Sequence, residues 1–527
     1  MTTTYDAIII GGGHNGLTAA GYLAKAGRKV LVLEQRHLLG GAAVTEEIFP
    51  GFKYTVYSYV VSLLAPQVIK DLQLYKHGLE ITPLSGAFTP MENGDYIASY
   101  EDEARTLEEI RRHSQRDAEA YNEFGNMMYD LARAVQPIFA IVPPDPVRPG
   151  LYGLCTFRNL GKHVKSLGKE RFHQLTKIMT MSAYDFLSEW FETDVLIATI
   201  ASIGIIGAML GPKSPGTAYV LLHYYLGEVD GQVSTWGSQK GGTGAVSEAI
   251  AGAVRSFGAE IRCNAPVEQV IVKNGQAVGV ALQNGDEIYG KTIVSACDPK
   301  VTFRKLVDEK ELPSDLVEAI DNFKYRGSSG KVNLALDGLP DFPALKDKAL
   351  MVGGMQEICP STDYLEQAYD DAKYGDFSKR PFMGCIIPST VDPTMAPPGK
   401  HVMSIFVQYA AYNMPAHGNR DQQREAFGDA VINTLAEFAP NIKELILHKQ
   451  VITPWDIEQT LGITEGNISH GELTIDQLFF MRPIPGWARY RTPIHNYYQC
   501  SAGTHPGGGI TGMPGRLAAL EIMKDGN

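Results

Sequence analysis

Three glycines near the start of the chain have the spacing that holds the phosphates of a dinucleotide. Gly11, Gly13 and Gly16 follow the apolar run Ala7–Ile10. In this pattern the first glycine allows a tight turn, the second lets the backbone approach a pyrophosphate, and the third lets a helix pack closely on the strand. The free N–H groups at the start of that helix bind the phosphates. The chemistry expected here is therefore the binding of a nucleotide cofactor.

The residues around these glycines predict a complete βαβ unit. A helix is expected over Leu17–Ala26 and a second strand over Lys29–Leu33, which is followed by Glu34. An acid about 20 residues beyond the first glycine accepts hydrogen bonds from the adenosine ribose, and it favours a free 2′-hydroxyl over a 2′-phosphate. FAD or NAD is therefore expected rather than NADP. The alternative, a glycine turn without a ligand, would not require the strands, the helix and the acid to agree.

The composition is that of a globular protein with an acidic surface. The 527 residues exceed one ordinary core, so two or three domains are expected. A formal charge of −12 argues against nucleic acid as a partner and against electrostatic docking on anionic lipid. The six cysteines include no C-x-x-C pair, so neither a metal site nor a dithiol relay is predicted. The N-terminus leads directly into the first strand, and we expect a cytoplasmic protein without a targeting segment.

Two segments in the first half are candidates for a lid or a wall. The connector from Pro137 to Pro149 is rich in proline, which is expected to end any helix and to form a surface loop. Val195–Leu210 is the most apolar stretch, but it is shorter than the ~20 residues of a spanning helix. We expect a buried helix or the wall of a substrate tunnel. A patch that dips into one face of a membrane, giving weak peripheral contact, stays open as the alternative.

A β-rich segment is predicted in the middle of the chain. It follows a helix over Ala245–Phe257, and the turn dipeptides Asn274-Gly275 and Asn284-Gly285 separate its strands. The predicted strands are Glu260–Cys263, Val267–Lys273, Ala277–Leu282, Glu287–Tyr289 and Thr292–Ser295. Later elements are predicted as strands near Lys331–Leu336 and Val402–Tyr409 and a helix near Gln422–Phe438.

The closing motif of the chain carries a family resemblance. Residues 499–519 contain Gly503-Thr504-His505-Pro506-Gly507 and further glycines. With the turn at 11–16 and the sequence Leu39-Gly40-Gly41-Ala42-Ala43, this motif resembles the phytoene desaturase family of flavoproteins. The branch it resembles includes carotenoid ketolases of the desaturase type and proteins named for a pyridine nucleotide-disulfide oxidoreductase domain. The resemblance spans nearly the full length, and its terminal motifs are specific for FAD.

The resemblance implies an α/β fold with α+β insertions. A discontinuous Rossmann-type FAD-binding domain of the amine oxidase and phytoene desaturase kind would carry an inserted substrate-binding domain. The FAD-binding domain is expected to consist of residues 1–75, 232–305 and 478–527. The substrate-binding domain is expected to consist of residues 76–231 and 306–477, and helices that face a membrane or form a lid are an open alternative within it.

The cofactor implied by the resemblance is FAD. Its predicted contacts are the glycine turn, the ribose acid with its neighbours, the second glycine pair, an adenine contact and the closing motif. These residues are Gly11, Gly12, Gly13, His14, Asn15, Gly16, Glu34, Gln35, Arg36, Gly40, Gly41, Ala42, Ala43, Val267, Gly503, Thr504, Gly507, Gly508, Gly509 and Ile510. A last helix over Pro514–Met523 would point its positive end at the flavin. Amine oxidase relatives have an arginine directly after the glycine pair where this chain has Ala42-Ala43, so an amine substrate is in doubt.

The expected reaction is a two-electron oxidation of a hydrophobic, polyene-like or isoprenoid-like substrate. A hydrocarbon has no acidic proton, so the protein needs only to place a C–H bond against the flavin and exclude water. His505 and His470 are the candidate catalytic residues, and for each a structural role within its loop is the alternative. Tyr57 and Tyr59 could line the cavity or pack in the core. Desaturation is favoured, while ketolation, saturation and isomerisation stay open.

The electron acceptor and the partners follow from what the sequence lacks and contains. There is no second G-x-G-x-x-G, so an NADPH-dependent disulfide reductase is not expected, and oxygen or a quinone is expected to reoxidise the flavin. A binding protein that holds a prenyl group or lipid on the same fold, without flavin chemistry, is the other class considered. The intact nucleotide motifs favour the enzyme. The sequence specifies neither the substrate nor the oligomeric state.

Overall fold

The computed structural model describes residues 4–229, 231–233 and 235–526. Its strands are β1 Tyr5–Ile10, β2 Val30–Leu33, β3 Thr45–Phe49, β4 Phe52–Thr55, β5 Ile81–Pro83, β6 Gly86–Pro90, β7 Tyr96–Tyr100, β8 Glu228–Val229, β9 Gln232–Val233, β10 Gly237–Gln239, β11 Glu260–Arg262, β12 Val267–Lys273, β13 Gln276–Leu282, β14 Glu287–Ser295, β15 Ser329–Leu336, β16 Met355–Ile358, β17 Phe377–Ile386, β18 His401–Ala410, β19 Ile446–Ile452 and β20 Tyr497–Gln499. Its helices are α1 His14–Lys25, α2 Pro66–Leu72, α3 Glu103–His113, α4 Gln115–Phe139, α5 Gly150–Ser166, α6 Gly168–Thr180, α7 Ala183–Ser188, α8 Asp194–Ile203, α9 Thr217–Tyr225, α10 Gly244–Ser256, α11 Ser314–Asn322, α12 Thr362–Ala372, α13 Arg420–Phe438, α14 Ile442–Leu445, α15 Pro454–Leu461 and α16 Met513–Lys524.

A parallel sheet assembled from distant parts of the chain forms the first layer. Its strand order is β11-β2-β1-β14-β20, and every neighbouring pair is parallel. Helices α1, α10 and α16 pack together on one face around a shared apolar core. The approach of α16 to α1 is close, because a Cβ added at Gly515 would lie 2.1 Å from the backbone oxygen of Asn15. The carboxyl ends of β1, β2 and β14 therefore meet at one edge, which is where α/β folds bind nucleotides.

Strand β14 joins two structures that the sequence analysis separated. Two strands, Glu287–Tyr289 and Thr292–Ser295, were expected here, but one continuous strand spans both. Its first residues pair with β13 in an antiparallel hairpin, and its later residues pair with β1 and β20. Because each half finds different hydrogen-bond partners, Gly290 between them does not break the strand.

A second, mixed sheet forms the other large layer. Its order is β19-β15-β18-β17-β16-β6-β7. Strand β15 is buried along its whole length, because its two faces pack against different parts of the fold. Helices α4, α7, α8, α9, α12 and α13 contribute side chains to the same core as this sheet. The edge of the first sheet at which nucleotides are expected to bind therefore lies opposite the buried face of the second sheet.

The apolar stretch Val195–Leu210 is a buried helix and the turns that follow it. Helix α8 has seven of its residues buried, and Ile206 beyond it lines the cavity described below. The stretch therefore does not supply the membrane patch that the sequence left open. Among the described residues, no helix is both long and apolar enough to cross a membrane.

The proline-rich connector begins later than the sequence suggested. Helix α4 continues through Pro137 and ends at Phe139. Proline lies here in the last turn of the helix, where its missing N–H costs a single hydrogen bond and the chain leaves the helix soon afterwards. The irregular connector is therefore residues 140–149, between α4 and α5.

Candidate functional site

A cavity of about 280 Å³ lies between the nucleotide edge of the first sheet and the face of the second. One end is lined by residues at the carboxyl ends of β1, β2 and β14. The other end is lined by aromatic and aliphatic side chains, including Phe406 from the centre of β18. We refer to these as the nucleotide end and the substrate end.

The glycine turn shapes the nucleotide end through two different kinds of close contact. A Cβ added at Gly16 would lie 2.2 Å from the backbone oxygen of Gly11 and 2.9 Å from the Cβ of Ala296, so this position must be glycine for the fold. A Cβ added at Gly13 would meet nothing nearer than the Cα of Gly41, at 3.9 Å. Gly13 therefore leaves free space on the cavity side, at the start of α1, where a pyrophosphate would lie.

Glu34 is held in position by the turn that it faces. The carboxylate is only 6% exposed; its Oε2 accepts a hydrogen bond from the backbone N–H of Gly12 and its Oε1 accepts one from the N–H of Arg36, both at 2.8 Å. Burial raises the pKa of Glu34, and the backbone hydrogen bonds oppose that rise. The carboxylate oxygens have free lone pairs that can accept a hydrogen bond from a ribose hydroxyl.

The second glycine pair closes the same end. The N–H of Gly40 donates to the backbone oxygen of Gly12 at 2.9 Å, and a Cβ added at Gly40 would lie 2.3 Å from the oxygen of Ala43. Ser247 on α10 donates to that same oxygen of Ala43 at 2.8 Å. The loop is therefore fixed by backbone contacts and leaves its inner surface to the cavity.

Most of the predicted cofactor contacts lie in the cavity wall. They come from all the predicted segments except the first part of the closing motif. The residues that line it are Gly11, Gly13, His14, Asn15, Gly16, Glu34, Gln35, Arg36, Gly40, Gly41, Ala42, Ala43, Val267, Gly509 and Ile510. Gly12 lies directly behind them, through its bond to Glu34.

Several buried polar atoms at this end have no partner in the described part of the chain. They are His14 Nε2, Asn15 Oδ1, Arg36 Nη1 and His470 Nδ1. All four side chains line the cavity, and buried polar atoms are normally hydrogen-bonded. Their shortage of partners, with the open space at Gly13, fits a large polar cofactor whose phosphates, ribose and ring atoms would satisfy them.

His470 is the candidate catalytic residue that reaches the cavity. It lies in a loop with a positive φ of 55°, and its N–H donates to the backbone oxygen of Asn467 at 2.9 Å. Its enclosed setting and the positive charge of Arg482 lower the pKa of His470 to about 4. The imidazole is therefore neutral at physiological pH, and it can exchange hydrogen bonds without carrying a charge.

The side chain of Arg482 holds the loop of His470 in place. Its guanidinium is fully buried and donates six hydrogen bonds to five backbone oxygens. Those oxygens belong to Ser469, Gly471, Glu472, Gln477 and Ala502. No ion pair with Arg482 occurs among residues 4–229, 231–233 and 235–526. The side chain thus ties the loop of His470 to the closing motif by backbone contacts.

His505 lies outside the cavity wall. Its Nε2 is 3.1 Å from the backbone oxygen of Ile138 at the end of α4, and its ring packs against Phe139 and Phe479. Burial lowers the pKa of His505 to about 3. The catalytic assignment of His505 stays a prediction, and this geometry favours the alternative, a histidine that braces the motif against α4.

The first part of the closing motif is likewise packed behind the wall. Gly503, Thr504, Gly507 and Gly508 do not line the cavity. A Cβ added at Gly508 would lie 2.3 Å from the Oγ of Ser469, and one at Gly503 would lie 2.3 Å from the Cδ of Pro299. These glycines allow the motif to pack against its neighbours, while Gly509 and Ile510 present the motif to the cavity.

The substrate end is built from aromatic rings. Tyr59 stacks on Phe406 at 5.2 Å between ring centroids, Trp236 lies 6.2 Å from Tyr59, and Tyr224 lies 5.8 Å from Trp236. Leu63, Ile206 and Ile468 complete the wall. The sequence analysis singled out Tyr59 and the stretch containing Ile206. It missed Tyr224, Trp236 and Phe406, because each belongs to a different element and no local motif marks it.

Two buried ionisable side chains lie in the second sheet beside this wall. Lys331, Phe406, Gly384 and Glu357 are lateral neighbours across four strands. Residues paired in this way face the same side of a sheet, so the lysine and the acid flank the strands below Tyr59. Burial lowers the pKa of Lys331 to about 7 and raises the pKa of Glu357 to about 8. Neither side chain lines the cavity.

The comparisons with known proteins agree with this architecture. The family model described as flavin containing amine oxidoreductase matches residues 191–512, and that of an NAD(P)-binding Rossmann-like domain matches residues 9–72. The chain is 38% identical to pyridine nucleotide-disulfide oxidoreductase domain-containing protein 2 of Rattus norvegicus, over 99% of this chain and 94% of that protein.

More distant relatives also align over nearly the whole chain. A limonene dehydrogenase component of Castellaniella defragrans is 28% identical, over 99% of this chain and 94% of that protein. Prolycopene isomerase 1 of an Oncidium hybrid cultivar is 25% identical, over 99% of this chain and 84% of that protein. Among solved structures, putrescine oxidase bound to putrescine superimposes with a TM-score of 0.60 at 16% identity, covering 100% of this chain and 99% of that one.

Proposed function

Because this chain belongs to the flavin-containing amine oxidoreductase family, it is an FAD-dependent oxidoreductase, and we propose that it dehydrogenates a neutral, hydrophobic substrate of polyene or isoprenoid type. The predicted family, fold class and FAD cofactor are confirmed by the family match and by the relatives. The substrate class is the part that we propose. It rests on the contrast in charge between the two ends of the cavity.

The absence of charge at the substrate end is the observation that carries the proposal. Among the described residues that line the cavity, the carboxylic acids and the basic side chains other than histidine are Glu34, Arg36 and Asp298. Arg36 pairs with Glu46 at 2.9 Å, and Asp298 accepts the N–H of Thr464 at 2.8 Å. All three belong to the nucleotide end. The substrate end offers rings and aliphatic chains, which bind through burial of apolar surface at ~25 cal/mol per Å².

The protein's own residues divide the work between binding and exclusion of water. FAD, when bound, supplies the capacity to accept two electrons from a C–H bond. The glycine turn and Glu34 would hold its adenosine diphosphate half, and Gly509, Ile510 and the loop of His470 would hold its ring. The aromatic wall would place a substrate C–H bond against that ring and exclude water. Among the described residues that line the substrate end, none is positioned to take up a proton near pH 7.

The names of two relatives support a hydrophobic substrate. One is part of a limonene dehydrogenase and another is a prolycopene isomerase. A protonated amine would be favoured by a carboxylate at the substrate end, and none of the described residues that line that end is acidic. We propose oxygen or a quinone as the electron acceptor, because the chain has a single nucleotide motif and no dithiol pair.

The test is anaerobic reduction of the bound flavin by a panel of compounds. The panel contains cyclic and acyclic terpenes, carotenoid polyenes, putrescine, cyclohexylamine and NADPH. We expect loss of flavin absorbance with at least one terpene or polyene, and reoxidation by oxygen or a quinone. Reduction by the amines alone, or rapid saturable reduction by NADPH alone, would contradict the proposal.

Isomerisation is the second candidate, favoured by the prolycopene isomerase relative. It requires the same apolar cavity but gives no net transfer of electrons. The two reactions separate when a cis-polyene is incubated with fully reduced enzyme without oxygen. Formation of the trans product under these conditions supports isomerisation, whereas dehydrogenation needs the oxidised flavin.

A further inference from the structure

The helical hairpin formed by α5 and α6 has several exposed apolar side chains close together along the chain. Large apolar side chains are exposed on it and just before it: Val147, Leu151 and Leu154 are 83%, 82% and 58% exposed. Phe172 on α6 is also exposed. Helix α8 is more apolar in sequence than α5, and yet it is buried. Apolar composition alone therefore does not explain why the side chains of the hairpin are exposed.

The charge of the hairpin is opposite to that of the chain. Residues 148–177 contain seven lysines and arginines and one acid, Glu170, whereas the whole chain has a formal charge of −12. Helix α5 itself contains no acidic residue. Arg171 pairs with Asp130, and Lys177 pairs with Glu189. Within the described parts of the chain, Arg148, Arg158, Lys162, Lys165 and Lys169 have no ion pair.

The apolar and basic side chains form one stripe along α5. Leu151, Leu154, Arg158, Lys162 and Lys165 recur at intervals of three and four residues, which places them on one side of a helix. All five are exposed. The stripe is apolar in the first turn and basic beyond it.

The opposite side of the hairpin is attached to the body of the protein. Tyr152 lies 5.4 Å from the guanidinium of Arg489 and 4.4 Å from the ammonium of Lys524, and His163 lies 2.7 Å from the backbone oxygen of Ala134. These contacts fix which side faces outward. The outward stripe is therefore exposed to solvent along its length.

We propose that the α5–α6 hairpin is a docking surface for an anionic lipid bilayer. Leucines at the start of α5 would enter the region between headgroups and acyl chains, and the lysines and arginines that follow would contact lipid phosphates. Charge complementarity favours lipid over a second copy of this chain, because a symmetric dimer through this surface would bury two identical basic stripes against each other. The net charge of −12 argues against docking on anionic lipid only when the whole chain is averaged, and that average hides the local basic surface of the hairpin.

The hairpin is also connected to the closing motif behind the cavity wall. Segment 140–149 joins α5 to the end of α4, where Phe139 packs against His223 and His505. His223 in turn lies 3.2 Å from the backbone oxygen of Gly508 in the closing motif. A bilayer bound at the hairpin would thus be linked through one connector to the motif that lies behind the cavity wall, which suits a substrate that dissolves in lipid.

The experiment is vesicle flotation of the purified holoenzyme. Vesicles of phosphatidylcholine alone are compared with vesicles that also contain phosphatidylserine, at low and high salt. We expect binding to the anionic vesicles and much weaker binding to the neutral ones. A triple variant, Arg158→Gln with Lys162→Gln and Lys165→Gln, should bind about 100-fold more weakly, since each basic side chain near such a surface contributes about fivefold.

Two further variants separate the apolar contact from the charge. Leu151→Ser with Leu154→Ser should weaken binding to anionic vesicles at least tenfold and make the remainder more sensitive to salt, because only the screened charge contact is left. The matched controls remove the same groups elsewhere on the surface: Lys53→Gln with Lys346→Gln and Lys443→Gln, and Leu339→Ser with Leu447→Ser. All five control positions are exposed. The controls should float like the wild type.

Three outcomes would overturn the proposal. The first is wild-type protein that stays in the aqueous fraction with anionic vesicles at low salt. The second is hairpin variants that float as well as their controls. The third is a dimer by light scattering that the leucine variant converts to a monomer, which would identify the surface as an interface between two copies. None of these results depends on turnover, so each leaves the proposed reaction to its own test.

Discussion

The two ends of the cavity are built by different physical means. The nucleotide end comes mostly from residues 10–43, and its geometry is set by backbone N–H groups, glycines and the carboxylate of Glu34. The substrate end draws single side chains from several distant elements, among them Tyr59, Trp236 and Phe406. Close contacts between backbone atoms, such as those at Gly16, leave no room for an added side chain. An aromatic wall instead tolerates changes of shape at a graded cost. Substitutions at the two ends should therefore fail in different ways.

The sharpest expected difference is at Gly13. Gly13→Val should abolish FAD binding while leaving the fold intact, because its side chain would project into open cavity space where we expect the pyrophosphate to lie. The measurement is the flavin content of the purified protein together with its thermal unfolding. Gly125→Ala, at a helix position where a Cβ meets nothing within 4 Å, is the control and should bind FAD normally. Full flavin content in Gly13→Val would place the pyrophosphate elsewhere.

Arg482 tests whether the loop between the two ends depends on one side chain. Arg482→Met leaves several buried backbone oxygens without a donor, so the free energy of unfolding should fall by about 3–5 kcal/mol. Urea unfolding of the FAD-loaded enzyme measures this loss. Arg111→Met on the exposed side of α3 is the matched control and should unfold like the wild type. An equally stable Arg482→Met would show that the loop is held by other contacts.

Glu34 tests the assignment of the adenosine half of the cofactor. Glu34→Ala should weaken FAD binding by about 1.5–3 kcal/mol, the usual contribution of a hydrogen bond to a charged group. Titration of the apoprotein with FAD and with FMN separates the causes, since FMN lacks the adenosine ribose. FMN affinity should not change. An equal loss for FAD and FMN would mean that the substitution disturbs the whole turn rather than one ribose contact.

Phe406 tests the substrate end. Phe406→Ala should leave FAD content unchanged and raise KM for a hydrophobic substrate about 10–100-fold, because it removes apolar contact area without touching the nucleotide end. Tyr374→Ala, at a ring that is 88% exposed, is the control. If kcat falls while KM stays constant, the ring positions the reacting bond rather than binding the substrate.

The sequence predicted the nucleotide end because that end is local. Gly11, Gly13 and Glu34 belong to one βαβ unit, and their spacing alone states the geometry they produce. The substrate end could not be predicted in the same way: Phe406 appears as one apolar residue in a strand, and only the register of the second sheet brings it under Tyr59. Gly503 and Gly508 lie behind the cavity wall, where their missing side chains make room for Pro299 and Ser469, and their contact with the cofactor stays a prediction.

Hydropathy predicted one apolar helix correctly and gave no sign of an exposed apolar surface. Helix α8 is buried in the core, as the sequence analysis expected, whereas the exposed stripe on α5 is mixed with lysines and has little hydropathy of its own. Burial depends on which elements cover a helix, and a single sequence does not show its neighbours. The spacing of basic residues along one face of α5 is the feature of the sequence that could have indicated this surface.

The smallest effect is expected at His505, and it separates bracing from catalysis. His505→Gln should retain bound FAD and a substantial fraction of turnover, because a glutamine amide can donate to the oxygen of Ile138 as the imidazole does. His505→Ala, which cannot donate, should unfold more readily. Loss of more than a hundredfold in kcat by His505→Gln, with FAD still bound, would instead make the histidine catalytic.

The pH dependence provides the same distinction without a substitution. The folded-state pKa values of His470 and His505, about 4 and about 3, lie below the ordinary value of 6.5. The unfolded chain therefore binds protons first, and the contribution of these two histidines to stability is fully present above pH 6.5 and is lost as the pH falls from 6.5 toward 3. The plot of reaction rate against pH should show no inflection near pH 6 from a histidine. Any inflection between pH 7 and 8 should come from Lys331 or Glu357, whose pKa values are shifted to about 7 and about 8. Glu357→Gln removes the acid from that window. An inflection near pH 6 that His470→Gln abolishes would show that the substrate end, despite its apolar wall, uses a titrating histidine.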